Sequence, residues 1–376
     1  MTSQERKENR YQRRKAKRLE LKRKRTEKFD DFNKVFTYDH LYKSYLKCRK
    51  NVRWKSSTQK YISNAALNVY ETYEELHNGT FKSDGFHEFD ICERGKLRHI
   101  RSVSIKERIV QRCLCDYSLV PVLKRIFIHD NGASVKHKGY SFALKRIVRH
   151  INWHYKKYGN NGYILLFDFS SYFDSIPHDL VDKILKKEFT DEKIIKLTQH
   201  FVSMFGNRGL GLGSQVSQIL ALAAANVLDH YIKETLGIKC YGRYMDDGYL
   251  IYPDKDYLIY CLDKLQQKCT ELGLTLNIKK TQIVALKKDF TWLKVRFRLT
   301  DSGYIVRRVW KKSVIRMRRK LKKLHKKWLN NELTINDISI SFQSWVSHLK
   351  GLDVYKTLKG IKQLYNSLFN NCEVSI

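Results

Sequence analysis

Three acidic residues carry the most specific chemistry in this sequence. Asp168 ends the apolar run Tyr163-Ile164-Leu165-Leu166-Phe167, and Asp246-Asp247 stand side by side between two strand-like runs, Lys239–Tyr244 and Gly248–Tyr252. A carboxylate at the end of a buried strand is costly unless water, a donor or a metal meets it. Two adjacent carboxylates repel each other unless a cation bridges them. A bare Asp-Asp pair is ordinary turn chemistry, but an acid cluster in a chain of net charge +35 stands out. Mg2+ suits such a group, because it binds one or two carboxylates, keeps several waters and takes substrate phosphates as further ligands. Two such ions (with Mn2+ as the alternative), roughly 3.5–4 Å apart, activate an attacking oxygen and steady a leaving one.

The charge balance indicates what lies opposite those acids. Seventy-three Lys and Arg face 38 Asp and Glu, and the pI is near 9.8. Such an excess repels itself unless a polyanion neutralises it, and nucleic-acid phosphates attract Lys and Arg whatever the base sequence. A ribosomal or chromatin-packing protein would share the charge without needing catalytic acids, so charge selects a partner class and no reaction. The eight cysteines are scattered; the close pair Cys113 and Cys115 has no second pair at zinc-site spacing, which predicts reduced, mostly buried thiols. No stretch approaches ~20 consecutive apolar residues, and the N-terminus lacks the apolar core of a secretion signal. The expectation is a cytoplasmic protein with no membrane partner.

The elements that must position the acids follow from periodicity. Residues 1–28 form a basic arm with almost no apolar residues, either solvated or helical on a phosphate backbone. From Phe29 to about His150 the pattern is mostly helical, interrupted by a strand-like piece at 96–100 after the turn residues Glu93-Arg94-Gly95. Tyr163–Phe167 reads as a buried strand, 178–205 and 217–236 as helical, and the runs around Met245-Asp246-Asp247 as a hairpin with acids at its tip. A helix over 256–272 is then predicted, followed by strands at 274–278 and 290–299, and everything from Trp310 onward is helical and basic. Strand, helix, hairpin, helix and strand with helices at both ends make an α+β architecture.

Taken together, the motifs resemble a known family. Tyr244-Met245-Asp246-Asp247 looks like the YxDD signature of reverse transcriptases, and the block from Asp168 to Phe173 resembles that family's first catalytic motif. Between them, Gly209 to Gln218 is similar to the glycine-rich substrate loop. Downstream, Leu272 to Thr281 resembles the lysine-bearing motif, and Phe290-Thr291-Trp292-Leu293 the primer grip. Upstream, Gly95–Arg98 and Ser104–Val110 resemble the fingers blocks of bacterial retroelement enzymes, and Ser344–Lys350 a thumb motif of the same groups. The resemblance implies a right-hand polymerase: fingers, a palm with a ferredoxin-like antiparallel sheet, and a helical thumb. The corresponding segments are 1–28 as arm, 29–150 as fingers, 151–300 as palm with a helical insertion at 178–205, and 301–376 as thumb.

The resemblance also implies roles for single residues. Asp168 and Asp246 bridge two metal ions, Asp247 is the weaker contact because strand neighbours point opposite ways, and Phe169 contributes its backbone carbonyl. Phe173 is the steric-gate aromatic that leaves no room for a 2′-hydroxyl. Arg98, Lys136 and Lys138 grip the triphosphate, together with Leu212, Gly213 and Gln218 of the substrate loop. Lys280 protonates departing pyrophosphate. Tyr244, Met245, Trp292, Leu293, Arg316 and Arg319 face primer and template, with the basic helix 316–327 suited to a duplex backbone. Two departures stand out. Gly211 and Leu212 replace the family's Pro and Gln, most like the enzymes of diversity-generating retroelements, and imply relaxed fidelity. Lys294 stands where the grip expects glycine.

The function expected is RNA-directed DNA synthesis from dNTPs on an RNA template with a DNA primer or product, in a bacterial retroelement or defence system. An accessory protein or a structured non-coding RNA is the further partner class. Two alternatives stay open: template-independent or protein-primed DNA synthesis in anti-phage defence, and a non-catalytic RNA-binding scaffold, against which the full acid set and Phe173 argue.

Overall fold

A computed structural model of the chain describes residues 2–93 and 96–369. The strands are β1 (Phe86–Glu93), β2 (Lys96–Val103), β3 (Tyr163–Asp168), β4 (Tyr241–Tyr244), β5 (Asp247–Tyr252), β6 (Gln282–Ala285), β7 (Phe290–Trp292), β8 (Val295–Leu299) and β9 (Ile305–Val309). The central sheet has the order β4-β5-β3-β6 and every neighbour in it is antiparallel. Helices join β3 to β4 and β5 to β6, which is the ferredoxin-like arrangement. This is an α+β, right-hand polymerase fold, as expected.

β3 is buried on both sides, which explains its unbroken apolar sequence. Leu165 and Phe167 face one core with the Gln215–His230 helix, which contributes Ala221, Ala223, Ala224 and Ala225 to it. Ile164 and Leu166 face a second core with Ile147 and Ile151 of the Tyr140–Tyr158 helix and with Phe290, Val295 and Phe297. Fixing β3 between two cores fixes Asp168 at its end. The helices Lys311–Leu329, Ile335–Ser347 and Tyr355–Leu368 pack around Leu321, Ile338, Phe342 and Ile361, and the first carries its basic residues outward.

Four local expectations are corrected. Residues 274–278 form no strand: Asn277 N–H donates to the Asp168 carbonyl at 2.7 Å and Ser170 N–H to that of Thr275 at 2.8 Å, pairing this stretch with the chain just beyond β3, while the edge of β3 itself is taken by β6. The run 290–299 is a hairpin, β7–β8, turning at Leu293 (φ 46°) and Lys294 (φ 64°). β9 stands at the head of the segment 301–376 assigned to the helical thumb, ahead of the helices expected from Trp310 onward, and its residues Ile305 and Val309 are buried as it pairs with β8. β1 stands in a stretch expected to be helical; Phe89 and Ile91 are exposed, so no buried face marks it as a strand. The arm is a helix, Ser3–Thr26, capped by Thr2 and Glu5 and exposed wherever its side chains are described.

Among the described cysteines all are free and five are buried, as expected, while Cys372 lies outside the described residues. No described helix is long and apolar enough to cross a membrane.

Candidate active site

The register sets the acids. Asp168 pairs directly with Asp247 across β3 and β5, and directly opposed residues of an antiparallel pair project from the same face. Asp246 sits in the two-residue turn between Tyr244 and Asp247, after Met245 with φ 55°. The alternation that was expected to turn Asp247 away therefore does not separate it from Asp168, because Asp246 belongs to the turn and not to the strand. Asp168 is only 3% exposed. The Lys280 ammonium is ion-paired with its carboxylate, carried there by the turn that follows Asn277.

This crowding shows in the titration of the group. Burial first, and then the charge of Asp168, raises Asp246 above the ordinary carboxylate range. Asp247 is pushed up to about 7 by burial and by Asp246 and Asp168, against the opposing pull of Lys280 and Lys294. Lys280 holds its proton more tightly than a free lysine because of its hydrogen bond to Asp168. Carboxylates held this way bind a cation at the expense of a proton.

Among the described residues no three His, Cys, Asp or Glu side chains stand close enough together to hold a metal ion by themselves. Mg2+ asks for no such cage, since waters and substrate phosphates complete its shell. Lys280 already supplies one positive charge beside Asp168. Asp168, Asp246 and Asp247 are carboxylate oxygen donors of the type Mg2+ takes.

The remaining expected residues fall into three groups. Phe169 and Phe173 adjoin the acids: Phe169 is buried, its ring stacked on Tyr172 at 4.7 Å, while Phe173 is half-buried and its carbonyl accepts from Leu210 N–H at 2.7 Å. That bond ties Phe173 to the glycine-rich loop at 209–213. Leu212 and Gly213 (φ 104°) lie in that loop, and Gln218 is exposed on the helix that follows. His99 and Arg101 of β2 line a small cavity with Leu212, Phe205 and Asp174. No motif marks either residue in the sequence, though strand alternation puts them on one face.

The two lysines expected at the triphosphate differ in their surroundings. Lys136 is exposed, whereas Lys138 donates to the His129 carbonyl at 2.6 Å and lies 5.0 Å from the Phe142 ring centre, held within its own loop. The side chain of Arg98 lies outside the described residues.

On the primer side, Tyr244 and Met245 are half-buried at the acid turn. Trp292 is a correction: it is 4% exposed and packs edge-on against Tyr249 at 4.8 Å, so its ring is part of the core. Tyr140 hydroxyl donates to the Leu293 carbonyl at 3.1 Å. Beyond the Leu293-Lys294 turn a groove is lined by Lys294, Trp310, Arg316, Lys320 and Trp345, with Arg316 lying 5.6 Å from the Trp310 ring. Arg319 is exposed on the same helix.

An acid turn on an antiparallel palm sheet, flanked by basic surface, is the working half of a right-hand nucleotide polymerase. The chain belongs to the reverse transcriptase family: residues 83–297 match its model, described as reverse transcriptase (RNA-dependent DNA polymerase). Among curated proteins none matches the sequence. Among solved structures, it is similar to the telomerase from Candida albicans in complex with a TWJ fragment of telomeric RNA, at 13% identity and TM-score 0.47 over 76% of this chain and 55% of that one. It is also similar to the apo telomerase from Candida tropicalis truncated from its C-terminal domain, at 15% identity and TM-score 0.45 over 59% and 54%. The chain therefore spans about half the length of these telomerase chains.

Proposed function

We propose that this chain copies RNA into DNA from dNTPs through a two-metal site. The observation that carries the reading is the convergence of Asp168, Asp246 and Asp247, with Lys280, at one end of β3 and β5. When bound there, divalent cations supply the positive charge that activates a primer 3′-hydroxyl and neutralises departing pyrophosphate. The chain's own part is to hold that charge in place and to shape what enters. Lys280, protonated and beside Asp168, is the proton source for the leaving pyrophosphate oxygen. Phe173, pinned to the substrate loop through Leu210, lies under the sugar and excludes a 2′-hydroxyl.

Residues 29–150 act as fingers, 151–300 as palm and 301–376 as thumb, the last opening on β9, which pairs with β8 of the preceding segment. Arg316, Arg319 and the arm 1–28 hold the backbone of the RNA–DNA duplex and its template. Leu212 in the substrate loop supports a place among low-fidelity bacterial retroelement or defence enzymes. The test is to supply a primed RNA of defined sequence with dNTPs and Mg2+ or Mn2+. DNA complementary to the RNA supports the reading. DNA unrelated to the template overturns templated synthesis, and no DNA at all overturns the enzyme.

A further inference from the structure

Beneath the acid turn lies a buried charge pair separate from the three acids. Arg243, the residue before Tyr244, is 1% exposed, and Asp229 of the Gln215–His230 helix is fully buried. Arg243 Nε donates to Asp229 Oδ1 at 2.7 Å and Nη2 to Oδ2 at 2.6 Å, a two-point fork. Tyr241 hydroxyl donates to the same Oδ1 at 2.5 Å. The third guanidinium nitrogen, Nη1, donates to the carbonyl of Met245 at 2.7 Å. The Arg243 backbone is held as firmly, its N–H donating to Asp130 O at 3.2 Å and its carbonyl accepting from Gly132 N–H at 2.9 Å.

Stability alone does not account for this arrangement. Desolvating two charges costs as much as or more than their attraction returns, and apolar residues of similar volume usually serve a core equally well. What apolar residues cannot do is aim a donor. Met245 has φ 55°, a left-handed conformation that disfavours side-chain-bearing residues and persists only when its surroundings enforce it. Its carbonyl precedes the Asp246 amide, so the direction of that carbonyl sets the peptide plane from which Asp246 departs. Only arginine has the three directed N–H groups needed to hold a carboxylate with two nitrogens and a carbonyl with a third.

We propose that Arg243, clamped by Asp229, is a positioning residue that fixes the Met245-Asp246 peptide and thereby places the Asp246 carboxylate against Asp168. The helix that supplies Asp229 starts at the substrate loop, at Gln215, so the clamp ties the acid turn to the element that receives the nucleotide. The role rests on the polymerase reading for its effect on rate, but its effect on the turn can be read without any activity.

The test uses the full chain with Arg243→Met/Asp229→Leu, which removes both charges and leaves a packed core, and with Arg243→Lys, which keeps charge but loses the fork. Methyl-13C-methionine NMR reads the turn directly, because the chain has only four methionines. In the double variant the Met245 resonance shifts or broadens while that of Met317, in the C-terminal helices, stays. Primer extension on RNA shows kcat lowered about 10- to 100-fold, as misplacing a reacting group by about an ångström does. The dNTP KM and duplex affinity stay within twofold. Arg243→Lys does not rescue the rate. Where a variant fails to fold, Tyr241→Phe and Asp229→Asn supply graded loosening of the same clamp, with losses in that order.

A folded double variant with the wild-type Met245 resonance and kcat within twofold overturns the clamp, as does full rescue by lysine. A wild type that makes no DNA while the Met245 resonance still moves overturns the polymerase reading and leaves the clamp standing.

Discussion

Asp247→Asn is expected to stabilise the metal-free protein while abolishing its chemistry. Asparagine keeps the shape of the side chain and removes the charge that burial, Asp246 and Asp168 oppose. In the folded chain the Asp247 carboxyl is raised from 3.8 to about 7, a difference of roughly 4 kcal/mol at 1.36 kcal/mol per unit. Asp247 is partly exposed, so solvent relaxation reduces the realised gain to about 2–4 kcal/mol. The sign follows from proton counts: between pH 3.8 and about 7 the folded chain keeps a proton that the unfolded chain has lost, so wild-type stability falls as pH rises through that window. The gain from Asp247→Asn is therefore full above about pH 7 and fades toward zero near pH 4. Urea unfolding in EDTA at pH 8, 6 and 4.5 reads this directly, and Mg2+ at pH 8 should stabilise wild type more than the variant. A variant no more stable than wild type at pH 8, or one with the same gain at every pH, would refute the reasoning.

Phe173→Val should raise ribonucleotide use relative to deoxynucleotide use; primer extension with rNTPs alone measures it, and unchanged selectivity would make Phe173 a packing residue only. Gly248→Ala should cost about 1–3 kcal/mol and most of the activity, because a Cβ there would approach the buried Phe167 ring to 2.2 Å at the position paired with it beside the acids; normal melting and normal rate together would contradict the packing described. Deleting residues 1–28 should flatten the log-log salt dependence of RNA binding by roughly 0.7–0.9 for each phosphate the arm neutralises; an identical slope would assign the arm to some other task.

Asp168 and its strand were legible because burial on both sides leaves Tyr163–Phe167 an unbroken apolar run that Asp168 ends, and Asp246-Asp247 because they stand between two strand-like runs in a YxDD pattern. The grip hairpin was not, since Leu293 and Lys294 adopt left-handed conformations without the glycine or asparagine that normally announces a turn. The stretch 274–278 has the alternation of a strand, with Leu274 and Leu276 buried, yet it pairs with residues 168–170 and not along a strand edge. Trp292 illustrates a different limit: an aromatic within a functional motif reads alike whether it meets a ligand or fills the core. Arg243 and Asp229 were invisible for a related reason. In a chain with 73 basic residues one more arginine carries no signal, and only the fold shows that this one is buried and paired with an acid on a neighbouring helix.

The central claim is that Asp168, Asp246 and Asp247 act as one metal-holding unit. Single-turnover incorporation of one dNTP on a primed RNA by wild type and by Asp246→Asn, in saturating Mg2+, tests it most directly. Loss of an oriented charge at the reacting centre should lower the rate by several orders of magnitude, with affinity for the primed RNA unchanged or slightly higher because one negative charge is gone from a basic surface. An Asp246→Asn rate within twofold of wild type would contradict the account.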